Sequence, residues 1–469
     1  NLLLLSKVKS DTNTMRVHFI AIGGSAMHNL ALALHLKGYQ VTGSDDEIFE
    51  PARTRLKDHG LLPVSEGWFP EKISPDLDAV ILGMHAKAGN PEMQAALDLG
   101  VRIFSYPEFL FEQSKDKIRV VIGGSHGKTT ITAMILHVLN HAGLETDYMV
   151  GAKLEGMDVM VRLSETARFM VFEGDEYLTS ALDPRPKFHL YKPDIGLISG
   201  IAWDHMNVFP TFENYVDQFR IFIDRISPGG TLVYCSEDEQ VRLLAEENHG
   251  GIHKIPYGIP AFKTGSNGTI LITPQGEVPL RIFGKHNLMN LMGAKEICRQ
   301  MGVVDTVFYE AIKTFKGAAN RLEYVYGDDH ALVYKDFAHA PSKVKATVEA
   351  MAMHNPERKL IACLELHTYS SLNKNFLPQY QSVMDAAAIA VVYFNQHALQ
   401  IKKLPDLSVE DVREAFHRDD IIVLKDSMQL WQTLLEVKAA GDANLLLMSS
   451  GNFDGMNIAE LAHQFVHSK

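Results

Sequence analysis

Residues 121–130 read Val-Ile-Gly-Gly-Ser-His-Gly-Lys-Thr-Thr, and how this stretch is read decides the architecture around it. Before it, Ile118 to Ile122 is an apolar, β-branched run suited to a buried strand. After it, Thr130 to Ala142 carries apolar residues at helical spacing up to Gly143, which fits a C-cap. Strand, glycine loop and helix in that order make a phosphate cradle. Gly123, Gly124 and Gly127 let backbone N–H groups turn inward at a helix N-terminus, with Ser125, His126 and Thr130 completing the loop. Lys128 sets a positive charge against β- and γ-phosphates, and the Thr129 hydroxyl can ligate Mg2+. Ile122 stands where the strict G-x-x-x-x-G-K-[ST] pattern has its first glycine, so the loop is a shortened variant. A plain glycine turn would leave Gly-Lys-Thr-Thr without a packing purpose.

The bulk properties bound what surrounds the loop. A chain of 469 residues predicts about three domains at ~150 residues each. With 46% hydrophobic and 22% charged residues the composition is that of a globular protein, and a net charge of -12 argues against nucleic acid or an anionic membrane as partner. Cys235, Cys298 and Cys363 are far apart with no C-x-x-C pair, so neither a disulfide framework nor a zinc site is expected, and a reducing cytoplasm fits. No apolar run approaches the ~18 residues of a membrane span. The leading Asn-Leu-Leu-Leu-Leu-Ser has too short an apolar core and no basic flank for a signal peptide, and the folding pattern starts near Met15.

Three α/β units are predicted, over residues 15–113, 114–317 and 318–469. The first opens as strand (VHFIAI), glycine turn (GGSAM), helix and strand (YQVTG), a Rossmann-like start in which Ala21 and Ala26 replace the outer glycines of the dinucleotide fingerprint. Gly23, Gly24 and Ser25 then hold a nucleotide diphosphate over the helix N-terminus, with Ser44 and Asp45 placed to meet its ribose or base. A further strand, Ala79 to Gly83, leads into a loop containing His85.

In the central, P-loop ATPase-like unit, a strand from Arg168 to Phe172 ends in Glu173-Gly174-Asp175-Glu176-Tyr177, carboxylates suited to a metal beside a phosphate loop. A second strand, Asp194 to Gly200, delivers Trp203-Asp204-His205 to the same edge if the sheet is parallel. The stretch 251–283 reads as an antiparallel β insertion. The third, Rossmann-like unit alternates helices with strands at Ala331 to Lys335, Leu360 to Leu364, Ile389 to Tyr393 and Asn444 to Met448.

The motifs GSHGKTT, EGDEY, WDH, GKHNLMN (Gly284 to Asn290) and DFAHAP (Asp336 to Pro341) together resemble the Mur ligase family, in its order and at similar intervals. The resemblance runs from Arg16 to the end of the chain. It implies an ATP- and Mg2+-dependent ligase that forms a C–N bond to UDP-N-acetylmuramate through an acyl phosphate, in cell-wall peptide recycling. The first unit and the E-x-D-E form resemble the branch that acts on UDP-N-acetylmuramate itself, and within it Glu176-Tyr177 after Asp175, Leu182 to Pro193 and Met448 to Gly455 resemble the members that add L-alanyl-γ-D-glutamyl-meso-diaminopimelate; addition of L-alanine is the alternative within the same chemistry.

Carried over to this chain, the resemblance assigns Lys128 and Arg321 to the γ-phosphate, and Glu173 and His205 to a second metal besides the one on Thr129. It also gives Asn287 and Asn290 to adenine, and Asp336 to the ATP ribose. His85, His339, His367 and Asn452 are expected to bind substrate, His367 and the Ser449 to Gly455 loop because they follow third-unit strands, where the incoming peptide should bind. Gly200, Ala202 and Ala340 depart from the usual family residues. A monomer or weak dimer is expected. From other classes, an NAD-dependent oxidoreductase is disfavoured by the incomplete fingerprint and the separate ATP loop, and a nucleotide-gated binding module would bind ATP without turnover.

Overall fold

The computed structural model describes residues 14–468 except His85, Lys153, Glu155, Gly156, Asp158, Ala181, Ser266, Asn267, 318–321, Ala439 and Ala440. Three α/β units follow one another. The first is a parallel sheet in the order β2 (Gln40–Ser44), β1 (Arg16–Ile20), β3 (Ala79–Leu82), β4 (Ile103–Ser105). The order reverses direction at β1, so the glycine turn after it opens at the crevice where such sheets bind ligands. Ala21 adopts φ +68°, a left-handed conformation that glycine would take without strain.

The middle unit holds a seven-stranded sheet. Its strands are β5 (Ile118–Gly123), β6 (Thr146–Met149), β7 (Val161–Arg162), β8 (Phe169–Glu173), β9 (Ile195–Ile198), β10 (Thr231–Cys235) and β11 (His253–Tyr257), ordered β11-β10-β9-β5-β8-β6-β7. All pair in parallel except β7. Because β5 lies between β9 and β8, the loops after all three emerge side by side. The predicted insertion divides: His253–Tyr257 joins the parallel sheet, and only β12 (Phe262–Gly265), β13 (Gly268–Thr273) and β14 (Gly276–Leu280) form an antiparallel sheet. Glycine and proline around the strand hid its partner, since pairing direction is set by distant β10.

The third sheet runs β15 (Glu323–Gly327), β16 (Leu332–Asp336), β20 (Ala443–Met448), β17 (Lys359–Leu366), β18 (Ile389–Phe394), β19 (Ile422–Leu424), parallel apart from β15. The β15 and β19 edge strands were not legible in the apolar pattern, being short and half-exposed. Apolar residues fill both faces of the second and third sheets, and the first unit's core continues into one face of the second. Among the described residues no helix is long and apolar enough to cross a membrane.

Candidate active site

The phosphate loop joins β5 to the helix Lys128–His141. Gly127 starts that helix at φ +78°, and a Cβ there would run into the Asn290 amide, so the position tolerates no side chain. Lys128 Nζ donates to the Gly124 carbonyl at 2.6 Å and pairs with Glu176, a carboxylate only 1% exposed. Burial opposes the charge on Lys128, but Glu176 and Asp175 outweigh it and lift the pKa above the ordinary lysine value. Thr129 Oγ1 donates to Glu173 Oε1 at 2.6 Å, while Glu173 Oε2 accepts from Gly151 N at 2.9 Å. Partial desolvation pushes the half-exposed Asp175 carboxyl upward, but Lys187 at 2.7 Å and nearby Lys128 outweigh it and bring its pKa down to about 2.

The loop after β9 is laced to the phosphate loop. Ser125 N donates to Gly200 O at 2.9 Å, Ala202 N donates to Ser125 Oγ at 2.9 Å, and the same hydroxyl lies 2.8 Å from Tyr215 OH, which donates to Glu176 at 3.2 Å. The His126 ring fills the space a side chain on Gly200 would need, which accounts for glycine there. Burial, with Lys343 and Lys128 nearby, lowers the His126 pKa to about 4. Burial pushes Asp204 upward, but Lys343 and His205 outweigh it and hold the carboxyl well below the usual range. His205, at φ +54°, faces Tyr177 and lies 3.9 Å from Glu176.

Across the loop, the helix Lys285–Gln300 supplies Asn287 and Asn290, and the third unit supplies Asp336, Ser342 and Lys343 to close a cleft over Ser125 to Thr130. Asn287 Nδ2 is committed to Phe283 O at 2.9 Å, and Asn290 is 8% exposed against Gly127. Asp336 accepts from Leu322 N and Ala338 N, each at 2.6 Å. A second cleft begins at Ser25 and Asn29 of the first unit and passes Tyr191 to the other side of Lys128, Thr129 and Glu173. The two clefts therefore share one wall.

Several predicted positions stand differently from their expected roles. Ser44 is fully buried and accepts from Lys72 Nζ at 3.0 Å; Asp45, 3% exposed, accepts from Gly23 N at 2.7 Å. Both support the glycine turn from behind, because the chain near Gly67 bridges to Asp45 and covers that strand end. Burial raises the Asp45 pKa to about 6. Gly23 and Gly24 form the turn, and a Cβ on Gly23 would press on Asp45.

His339 Nδ1 donates to Phe337 O at 2.8 Å. His367 lies against Gly451 beside Asn452, in a loop after β20 anchored by buried Glu365. His85 and Arg321 lie outside the described residues.

The Thr129–Glu173 pair fits one Mg2+, which is commonly held by one or two protein oxygens with phosphates and water supplying the rest. Among the described residues no group of three His, Cys, Asp or Glu side chains forms a metal cage; Glu173 bonds Thr129 and Gly151, and His205 lies 3.9 Å from Glu176. Lys343, Tyr215 and Lys187 were missed by sequence reading. Only Lys343 had a signal, a basic residue in a predicted helix's first turn.

Comparison with known proteins extends this picture. Residues 16–117 match the model of the Mur ligase family catalytic domain, 122–298 the Mur ligase middle domain, and 320–451 the Mur ligase glutamate ligase domain. The chain is 31% identical to a UDP-N-acetylmuramate–L-alanine ligase of Sulfurihydrogenibium sp., over 80% of this chain and 82% of that one. It is 27% identical to the UDP-N-acetylmuramate–L-alanyl-γ-D-glutamyl-meso-2,6-diaminoheptandioate ligase of Escherichia coli, over 94% and 97%. The fold superposes on a murein peptide ligase from Psychrobacter arcticus with a TM-score of 0.63 at 22% identity, covering 97% of this chain and 99% of that one. With all three sheets matched in sequence order, the chain belongs to the Mur ligase family of ATP-dependent, amide-bond-forming ligases.

Proposed function

We propose that this ligase joins L-alanyl-γ-D-glutamyl-meso-diaminopimelate to UDP-N-acetylmuramate, with ATP and Mg2+, in the recycling of wall peptides. The observation that carries the reading is the shared wall: Lys128, Thr129 and Glu173 face the nucleotide cleft on one side and, on the other, the cleft that opens from the first unit's glycine turn. UDP-N-acetylmuramate entering the second cleft brings its lactyl carboxylate to the γ-phosphate; the carboxylate oxygen attacks the γ-phosphorus, the bond to the bridging oxygen breaks, and an acyl phosphate and ADP result. The peptide's α-amine, arriving from the third unit's loops, then displaces phosphate. The chain's own contribution is positioning and neutralisation of charge. Glu173 and Thr129 would hold Mg2+, Lys128 would leave Glu176 for phosphate, and Arg321, Asn287, Asn290 and Asp336 would complete the nucleotide site. The muramate, ATP and peptide units are taken as 15–113, 114–317 and 318–469.

Preference for the tripeptide is supported by the segments Leu182 to Pro193 and Met448 to Gly455 and by similarity to the Escherichia coli enzyme along nearly its whole length. Addition of L-alanine is favoured by the 31% identity to the Sulfurihydrogenibium enzyme. A phosphate-release assay with UDP-N-acetylmuramate, offered either the tripeptide or L-alanine and followed by mass analysis of the product, separates them. Tripeptide-dependent release with a matching adduct is expected. Release stimulated by L-alanine alone reverses the assignment.

A further inference from the structure

The third unit brings a cation of its own to the phosphate loop. Lys343 occupies the first turn of the helix Pro341–His354 and lines the nucleotide cleft with Ser342 and Thr347, facing Lys128 and Thr129. Its Nζ lies 3.5 Å from Oδ2 of Asp204 in the middle unit, the two side chains being 20% and 9% exposed. That separation is longer than the roughly 2.7–2.9 Å of a tight charge-assisted bond.

The helix around it compounds the positive field. Its N-cap is Ala340, no side chain caps its first N–H groups, and its first turn holds no acid. A lysine at that end adds charge of the same sign as the helix dipole, an arrangement unfavourable for the helix alone and favourable for an anion in the cleft. The same charge is felt in the phosphate loop, where burial, with Lys343 and Lys128 nearby, keeps the His126 ring neutral.

We propose that Lys343 is a second phosphate-binding cation of the nucleotide site, held by Asp204 in the empty enzyme and exchanged onto the polyphosphate when ATP binds. The proposal rests on the ATP-dependent reading of the cleft. Exchange moves Lys343 from a carboxylate at 3.5 Å toward a ligand of several negative charges, and it fastens the third unit to the nucleotide. It also leaves Asp204 beside His205, at the edge of the reacting groups.

Calorimetric binding of AMP and of a non-hydrolysable ATP analogue, with Mg2+, tests it. K343A is expected to weaken the analogue about 10- to 100-fold, the scale of one lost charged contact, with AMP within about twofold. K343Q, which keeps the stem, is expected to show the same split, and K343R to recover part of the loss. D204N is expected to tighten the analogue severalfold in the parent and not in K343A. Equal weakening of both nucleotides, no weakening by K343A while K128A still loses the analogue, or no tightening by D204N overturns the proposal. If the parent itself binds no analogue, the reading of the cleft falls with it.

Discussion

His189 shows how a single side chain ties stability to pH. It is 7% exposed, stacks on Phe188 at 4.8 Å and donates from Nε2 to Gln218 O at 2.7 Å, which fixes a proton on Nε2. Burial brings its pKa down to about 4 from 6.5. The unfolded chain therefore takes up the proton first. The stabilisation is complete above the unfolded pKa, and is lost as pH falls from about 6.5 through about 4. Between pH 7 and 5 the parent is expected to lose about 2 kcal/mol more than His189→Gln, read as the shift in urea midpoint. Parallel losses in both proteins would mean that His189 does not carry the effect.

At the scale of the element, the loop from Ser449 to Gly455 is ordered by one buried acid. Glu365, at the end of β17 and 3% exposed, accepts from Phe453 N at 2.8 Å and from the Ser449 hydroxyl, while Phe453 and Asp454 hold positive φ of 50° and 60°. Backbone in that region is costly for residues other than glycine and persists only when neighbours over-determine it. Glu365→Gln removes the charge that holds two donors on one oxygen. The KM for the amine substrate is expected to rise about tenfold, roughly the 1.5–3 kcal/mol of a charged hydrogen bond, with the KM for ATP unchanged. Faster exchange at the Phe453 amide should accompany it. A change in the ATP constant alone would separate this loop from the amine site.

For the whole molecule, the proposed site is built from two units, so its activity is expected to depend on the third unit staying seated on the middle one. Phe283, just before the helix Lys285–Gln300, stacks on His354 with centroids 3.8 Å apart, and Trp203 meets Phe376 edge-on at 5.9 Å. Gly284 lies so close to the Ala350 methyl that a Cβ would approach it within 2.6 Å. Phe283→Ala gives up an aromatic pair of about 0.5–1.5 kcal/mol and the area it buries. It is expected to lower kcat severalfold at saturating ATP and to enlarge the radius of gyration measured by X-ray scattering. Unchanged scattering with unchanged kcat would show that this contact does not govern seating.

Local sequence alone determined the phosphate loop, the α/β alternation and the five ordered motifs, because strand, glycine turn and helix are encoded by neighbours a few residues apart. Thr129 and Glu173 were legible for the same reason: each directly follows a readable element. Tertiary structure decided what distance along the chain conceals. Ser44 and Asp45 turned inward because a segment more than twenty residues away covers them, and Asn290 came to rest under Gly127. His253–Tyr257 became a parallel strand because β10 offered it an edge, and His205 turned to Glu176. Lys343 gained its meaning only through Asp204, 139 positions earlier in the chain, since a charge acts through space on whatever the fold places beside it.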